Sequence, residues 1–218
     1  MNYIVIDFEY NQNFDFKTGA KAPSNPLMPL EIIQIGAVKL DDELNITGHF
    51  GTTVAPRLYR SLNPFVARVT GLMGRQLRNS PPFKEAYRGL LHFIGKDPAI
   101  LCFWGNDDIK EMFRNILFTR QNHRRMPLAY INVQQQASIH LELPPKQQMA
   151  LASVVEQLGI ETTVPFHNAV NDAYYTAEIF KLIFDAEAPG LLNFDLDKLI
   201  ERNTELTLKE SAESRNGT

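Results

Sequence analysis

The chain has 218 residues, 44% hydrophobic and 22% charged, with a formal net charge of −3. This is the balance of one ordinary globular domain. It excludes a uniformly basic nucleic-acid coat, although a local basic groove depends on where charge sits rather than on its sum. Cys102, the only cysteine, lies in an apolar run and has no partner for an intrachain disulfide, so a buried structural thiol is expected. No apolar run approaches the roughly 18 residues of a membrane span. Met1 leads straight into a strand rather than a signal peptide, and no membrane association is expected. A reducing cytoplasm is the expected location.

The first strand, Ile4–Phe8, is a near-continuous apolar run, as in a sheet covered on both faces. Asn11–Pro29 is polar and carries one glycine and three prolines, so a long loop beside the end of that strand is expected. Glu31–Lys39 and Ile46–Val54 read as two strands paired antiparallel across the turn Asp41-Asp42-Glu43. Residues 57–80 are irregular and helical in patches. Ser80, followed by Pro81 and Pro82, is placed to cap a helix. Phe83, Ala86, Tyr87, Leu90, Leu91 and Ile94 keep helical spacing up to Gly95.

Ala99–Trp104 is a fourth strand, and Asp107 or Asp108 opens a helix. Leu128–Val133 is a fifth strand, Leu151–Leu158 a helix stopped by Gly159, and Ala169–Phe184 a last long helix. Antiparallel strands followed by α/β crossovers predict a mixed five-stranded sheet with helices on both faces. The expected domain spans 1–188, with a C-terminal extension over 189–218 that is polar and disordered from about 209.

Chemistry concentrates at three places where an apolar element meets a loop, which is where α/β sheets place their sites. The first is Asp7 and Glu9. They stand two apart on a strand, so both project to one face. Two carboxylates that close are tolerated when a cation sits between them. The second is Asp107-Asp108, after Phe103-Trp104-Gly105-Asn106. The third is Phe166-His167-Asn168-Ala169-Val170-Asn171-Asp172. Hard divalent cations prefer carboxylate oxygens and keep waters for phosphates. Four carboxylates can hold two such ions about 4 Å apart. An imidazole, which titrates close to neutrality, suits general base work.

Each feature also has an ordinary reading. Asp107 and Asp108 suit a helix N-terminus, Asp172 a first helical turn, and His167 a loop. Basic loops such as Asn122-His123-Arg124-Arg125 and the Arg57, Arg60 and Arg68 side chains are solvated more often than they grip phosphates. The conjunction of the three acidic places, in order and on suitable elements, favours the chemical reading.

These segments resemble the three motifs of the DEDDh family of 3′-to-5′ exonucleases in the ribonuclease H-like superfamily. Asp7-Phe8-Glu9 resembles the first motif. Asp108, with Met112 and Phe113 in register, resembles the second. His167 and Asp172 resemble the third. Pro29–Val38 is similar to the family's second strand, and Val69-Thr70-Gly71-Leu72 to a segment that contacts the terminal nucleotide. Trp104-Gly105 and Tyr130–Val133 are most similar to the Eri-type exoribonuclease branch.

The resemblance implies a ribonuclease H-like α/β fold and hydrolysis of single-stranded nucleic acid, RNA favoured over DNA, to nucleoside monophosphates. It implies two Mg²⁺ or Mn²⁺ ions held by Asp7, Glu9, Asp108 and Asp172. His167 would act as base, and Phe8, Thr70, Gly71 and Leu72 would bind substrate. Tyr10 departs from the Thr or Ser common after the first motif, and Asp107 competes with Asp108 for the second. Two other readings stay open. One is a regulatory protein-binding module of the sporulation-inhibitor type. The other is a phosphodiesterase for very short oligonucleotides.

Overall fold

The computed structural model describes residues 1–18, 20 and 22–216, without the side chains of 210–216. A mixed sheet of six strands forms its centre, ordered β3-β2-β1-β4-β5-β6. The strands are β1 (Asn2–Asn11), β2 (Glu31–Leu40), β3 (Ile46–Thr53), β4 (Ala99–Phe103), β5 (Ala129–Asn132) and β6 (Leu191–Asn193). β1, β2 and β3 form an antiparallel meander. β4 and β5 add in parallel. β6 closes the far edge antiparallel to β5.

Two apolar layers flank the sheet, because successive residues of a strand face opposite sides. Ile4, Ile6 and Phe8 of β1 join one layer with α3 (Phe83–Ile94) and α4 (Asp107–Phe118). Tyr3 and Val5 face the other layer, built from α5 (Val133–His140), α6 (Leu151–Gln157) and α7 (Ala169–Ile183). Each buried Ile, Val or Phe contributes about 1.5–3 kcal/mol relative to exposure, so Ile4, Val5, Ile6 and Phe8 hold β1 firmly between the layers. Asp7 and Glu9 continue the Tyr3/Val5 side, toward α7.

Three expectations need correction. The sheet has six strands rather than five. β6 is too short and too exposed to show a strand signature, and it forms because Leu191–Asn193 can complete the open edge of β5. The extension after 189 also joins the core. Leu196 and Leu199 of α8 (Leu196–Asn216) are buried against the α4 layer, and α8 continues to Asn216, into the stretch expected to be disordered. The side chains from 210, and residues 217 and 218, lie outside the described ones. Finally, Ser80 does not cap α3, whose N-cap is Pro82 without a side-chain bond. The Ser80 hydroxyl instead meets Thr53 Oγ1 at 2.6 Å.

Candidate active site

β1 positions the first pair of acids. It pairs with β4 only as far as Val5 opposite Cys102, whereas its pairing with β2 continues to Asn11. Asp7 and Glu9 therefore lie on a rigid strand beyond the end of its parallel neighbour. A register shift between Glu9 and Tyr10 turns the strand there, as β-bulges do beside functional sites. The turn after β4 starts α4 next to this opening. It passes through Gly105 at φ 108°, a backbone angle that excludes most other residues.

The second-motif carboxylate comes from the first turn of α4. Asp108 Oδ1 accepts a hydrogen bond from the Tyr10 hydroxyl at 2.8 Å. Asp107 points away, with its side chain 89% exposed and paired to Lys110 at 2.9 Å. The two neighbouring acids are thus separated by helix geometry: one faces β1 and the other faces solvent.

α7 supplies the fourth acid. Its N-terminus rests directly on β2 at Gly36, the residue opposite Asp7. A Cβ at Gly36 would collide with the carbonyl of Ala169, so only glycine lets the helix come this close. Gln34, opposite Glu9, accepts a hydrogen bond from the Ala169 backbone at 3.2 Å. One turn on, Asp172 is buried. Its Oδ2 accepts the backbone N–H of His167 at 3.0 Å. Its Oδ1 is buried without any hydrogen-bond partner.

His167 sits at φ 63°, and its side chain is exposed. Its loop is fixed from below. The Tyr175 hydroxyl receives the N–H groups of Thr163 and Val164 and donates to the Val164 carbonyl. Asn171 binds the Pro165 carbonyl. The loop is therefore anchored on α7 while the imidazole stays free at its tip.

Ligand atoms of Asp7, Glu9 and Asp172 lie within 4.8 Å of one another. None of these three, nor Asp108, forms an ion pair among the described residues. The electrostatic consequence is a set of carboxyls that resist ionisation. Asp7 is held well above the ordinary range by burial first, then by the charges of Asp108, Asp172 and Glu9. Glu9 is pushed up to about 7 by burial and by Asp172 and Asp108. Burial also raises Asp108 to about 7, against the opposing hydrogen bond from Tyr10. Asp172 rises to about 6 through burial, opposed by the backbone bond and charge of His167. Crowded acids with an unpartnered buried oxygen fit a divalent cation, which favours the charged form of each ligand. The all-oxygen donor set suits Mg²⁺ or Mn²⁺.

The remaining sequence-selected residues divide. Phe8 is buried on the opposite side of β1, with its ring 6.5 Å from that of Phe103. Thr70 and Gly71 end α1 (Pro64–Thr70). Gly71 is at φ 70°, and Leu72 N–H donates to Thr70 Oγ1. Leu72 is only 7% exposed and packs with Ile33, Val66 and Leu77. The exposed apolar side chains of this segment are Phe65 and Met73, at 56% and 65%.

Several supports of the site escape sequence reasoning. Tyr10 stands out in the sequence only as a departure from a motif, and its bond to Asp108 spans 98 residues. Gln34 and the collision at Gly36 are likewise invisible to local pattern. Asn11, fully buried, binds the carbonyls of Tyr59 and Ser61 and the N–H of Asn63. It thereby straps the 59–63 segment to the end of β1, two residues past Glu9.

Comparison with known proteins agrees with this geometry. The model of the RNase T family, described as exonuclease, matches residues 4–180. The chain belongs to that exonuclease family. Its fold is similar to a full-length 3′-exonuclease, with 19% identity, a TM-score of 0.70, and coverage of 89% of this chain and 90% of that one. It is also similar to the nuclease domain of 3'hExo, a DEDDh member bound to rAMP, with 21% identity, a TM-score of 0.70, and coverage of 83% and 90%. E. coli exonuclease I in complex with a dA16 oligonucleotide aligns at 14% identity and a TM-score of 0.62, over 84% of this chain and 40% of the longer one. Comparison with curated proteins returns no match. No helix among the described residues is long and apolar enough to cross a membrane.

Proposed function

We propose that this exonuclease removes nucleoside monophosphates from the 3′ end of single-stranded nucleic acid, using two Mg²⁺ or Mn²⁺ ions held by Asp7, Glu9, Asp108 and Asp172. One observation carries this reading: four carboxyls converge at the end of β1 without a cationic side chain between them, and Asp172 Oδ1 is buried with no partner. When bound, such ions lower the pKa of a coordinated water and stabilise the leaving oxygen. Asp7, Glu9 and Asp172 are close enough together to share one ion, and the charge of Asp108 is felt at Asp7.

His167, exposed on its anchored loop beside Asp172, takes the proton of the attacking water. The backbone of Phe8 and the Thr70-Gly71-Leu72 turn position the terminal nucleotide. RNA is favoured over DNA, in keeping with the histone mRNA stem-loop and rAMP named for two similar structures. A buried, unpaired thiol at Cys102 suits a reducing cytoplasm.

The test is incubation of the protein with a 5′-labelled single-stranded RNA, the matching DNA and a dinucleotide, each with Mg²⁺, Mn²⁺ or chelator. A ladder shortened from the 3′ end, faster on RNA and absent in chelator, is expected. Cleavage of the dinucleotide alone would replace this reading with a short-oligonucleotide phosphodiesterase. No cleavage of any substrate would leave a regulatory binding module.

A further inference from the structure

A second concavity lies away from the carboxylates. It has a volume of about 900 Å³ and is bounded by Met28 of the loop after β1, Arg57 and Leu58, the C-terminal end of α4 through Arg120, and α8. The α8 residues lining it are Ile200, Asn203, Thr204 and Thr207, which share one helical face. The charge of the lining is one-sided. Among the described residues it contains Arg57 and Arg120 and no Asp or Glu. Neither arginine forms an ion pair among the described residues. On a chain of net charge −3, a groove with cations and no acids is selective for anions.

Neither arginine is required for the fold. Arg57 is anchored by its backbone, whose N–H donates to Glu31 Oε1 at 2.6 Å, and its side chain is exposed. Arg120 follows α4, where a basic side chain often serves to cap carbonyls. Those carbonyls are already taken: Leu117 receives Arg120 N–H, Ile116 receives Gln121 N–H, and Thr119 receives the Gln121 side chain.

The groove is also joined to the active site. The segment carrying Arg57 continues through exposed Arg60 to the residues that Asn11 ties to the end of β1. Along α4, Asp108 and Arg120 are twelve residues apart, about 18 Å at 1.5 Å per residue. These connections put the groove within about 18 Å of the carboxylates along α4.

We propose that this groove binds the phosphate backbone of the upstream, 5′ part of the strand whose 3′ end is being hydrolysed, with Arg57 and Arg120 as its phosphate-binding side chains. This rests on the 3′-end exonuclease reading above. It predicts that strands long enough to span the distance bind better than short ones, without base preference, because binding to phosphate carries no sequence information.

The test compares wild type with the Arg57→Gln/Arg120→Gln double variant, with Asn203→Trp, which fills the groove without changing charge, and with Arg202→Gln, a control on α8 outside the lining. Fluorescence anisotropy with a labelled 20-nucleotide RNA in chelator measures binding independently of catalysis. The double variant should bind about tenfold more weakly, and its log–log salt slope should be shallower by about 1.4, or about 0.7 for each phosphate left unneutralised. Asn203→Trp, by keeping phosphates off both arginines, should weaken binding and also make the slope shallower. Arg202→Gln should match wild type, and all four proteins should bind a trinucleotide alike.

With metal, only turnover of the long strand should fall. Equal loss on the trinucleotide, or no loss on the 20-mer, overturns the proposal. Competition by a mononucleotide or inorganic phosphate as effective as by the strand would make the groove a small-anion site instead. If wild type cleaves nothing, the exonuclease reading fails, and the anisotropy series still decides the groove.

Discussion

Tyr10 donates its hydroxyl to Asp108 Oδ1 at 2.8 Å, joining the residue just after the first motif to the carboxylate of the second. The bond orients Asp108 and occupies one of its oxygens, as partners behind metal ligands commonly do. Tyr10→Phe should therefore raise the divalent concentration for half-maximal activity by about tenfold and leave turnover at saturating metal largely intact. Activity titrated against Mn²⁺ checks this. An unchanged midpoint with reduced maximal rate would show that Tyr10 acts on substrate instead.

His167→Ala should lower turnover by roughly 10²–10⁴-fold with little loss of strand binding, because the side chain is exposed and only the backbone N–H holds Asp172. Single-turnover rates and anisotropy on the same variant separate the two effects. Equal losses would assign His167 to binding.

The pH dependence of stability has a defined sign. Glu9 and Asp108 titrate near 7 and Asp172 near 6 in the fold, against about 4 in an unfolded chain. A raised carboxyl favours the protonated folded state, so its full stability is present below about pH 4 and is lost as pH rises through 6 to 7. In chelator, the thermal midpoint should fall from pH 5 to pH 8, and Glu9→Gln should flatten part of that fall. Mn²⁺ should raise the midpoint more at pH 8 than at pH 5. A metal effect independent of pH would contradict the crowded-carboxyl account.

Gly36→Ala places a methyl against the Ala169 carbonyl and forces the start of α7 off β2. A destabilisation of about 2–3 kcal/mol is expected, as for an overpacked core, together with weakened metal binding through displacement of Asp172. Gly159→Ala, at φ 68° with open space around it, should cost about 1–2 kcal/mol and leave metal binding unchanged. Denaturant melts and Mn²⁺ titration of both variants test the contrast.

The sequence carried β1, β2, α3 and α7 well, since each buries a regular apolar pattern such as Ile4-Val5-Ile6 or Leu90-Leu91-Ile94. It carried the acids too, because Asp7 and Glu9 share a face by local geometry. It did not carry β6 or α8, whose places depend on an unfilled sheet edge and on Leu196 and Leu199 meeting α4. α5 begins at Val133 directly after β5 and has little amphipathic contrast, so its helix had no clear signature. The supports of the site, Tyr10, Gln34 and Gly36, act across 98, 135 and 133 residues, separations at which local patterning says nothing. Leu72 was legible only as part of a motif; its packing against Ile33, Val66 and Leu77 depends on contacts that local patterning does not show.

The central claim is that the carboxylates around Asp7 hold the cations that support removal of 3′ nucleotides. The most direct measurement follows a 5′-labelled single-stranded RNA with wild type and Asp7→Asn, in Mn²⁺ and in chelator. Wild type should yield a ladder shortened from the 3′ end only with Mn²⁺, and Asp7→Asn should yield none while still binding the strand. A ladder from Asp7→Asn near the wild-type rate, or from wild type in chelator, would contradict it.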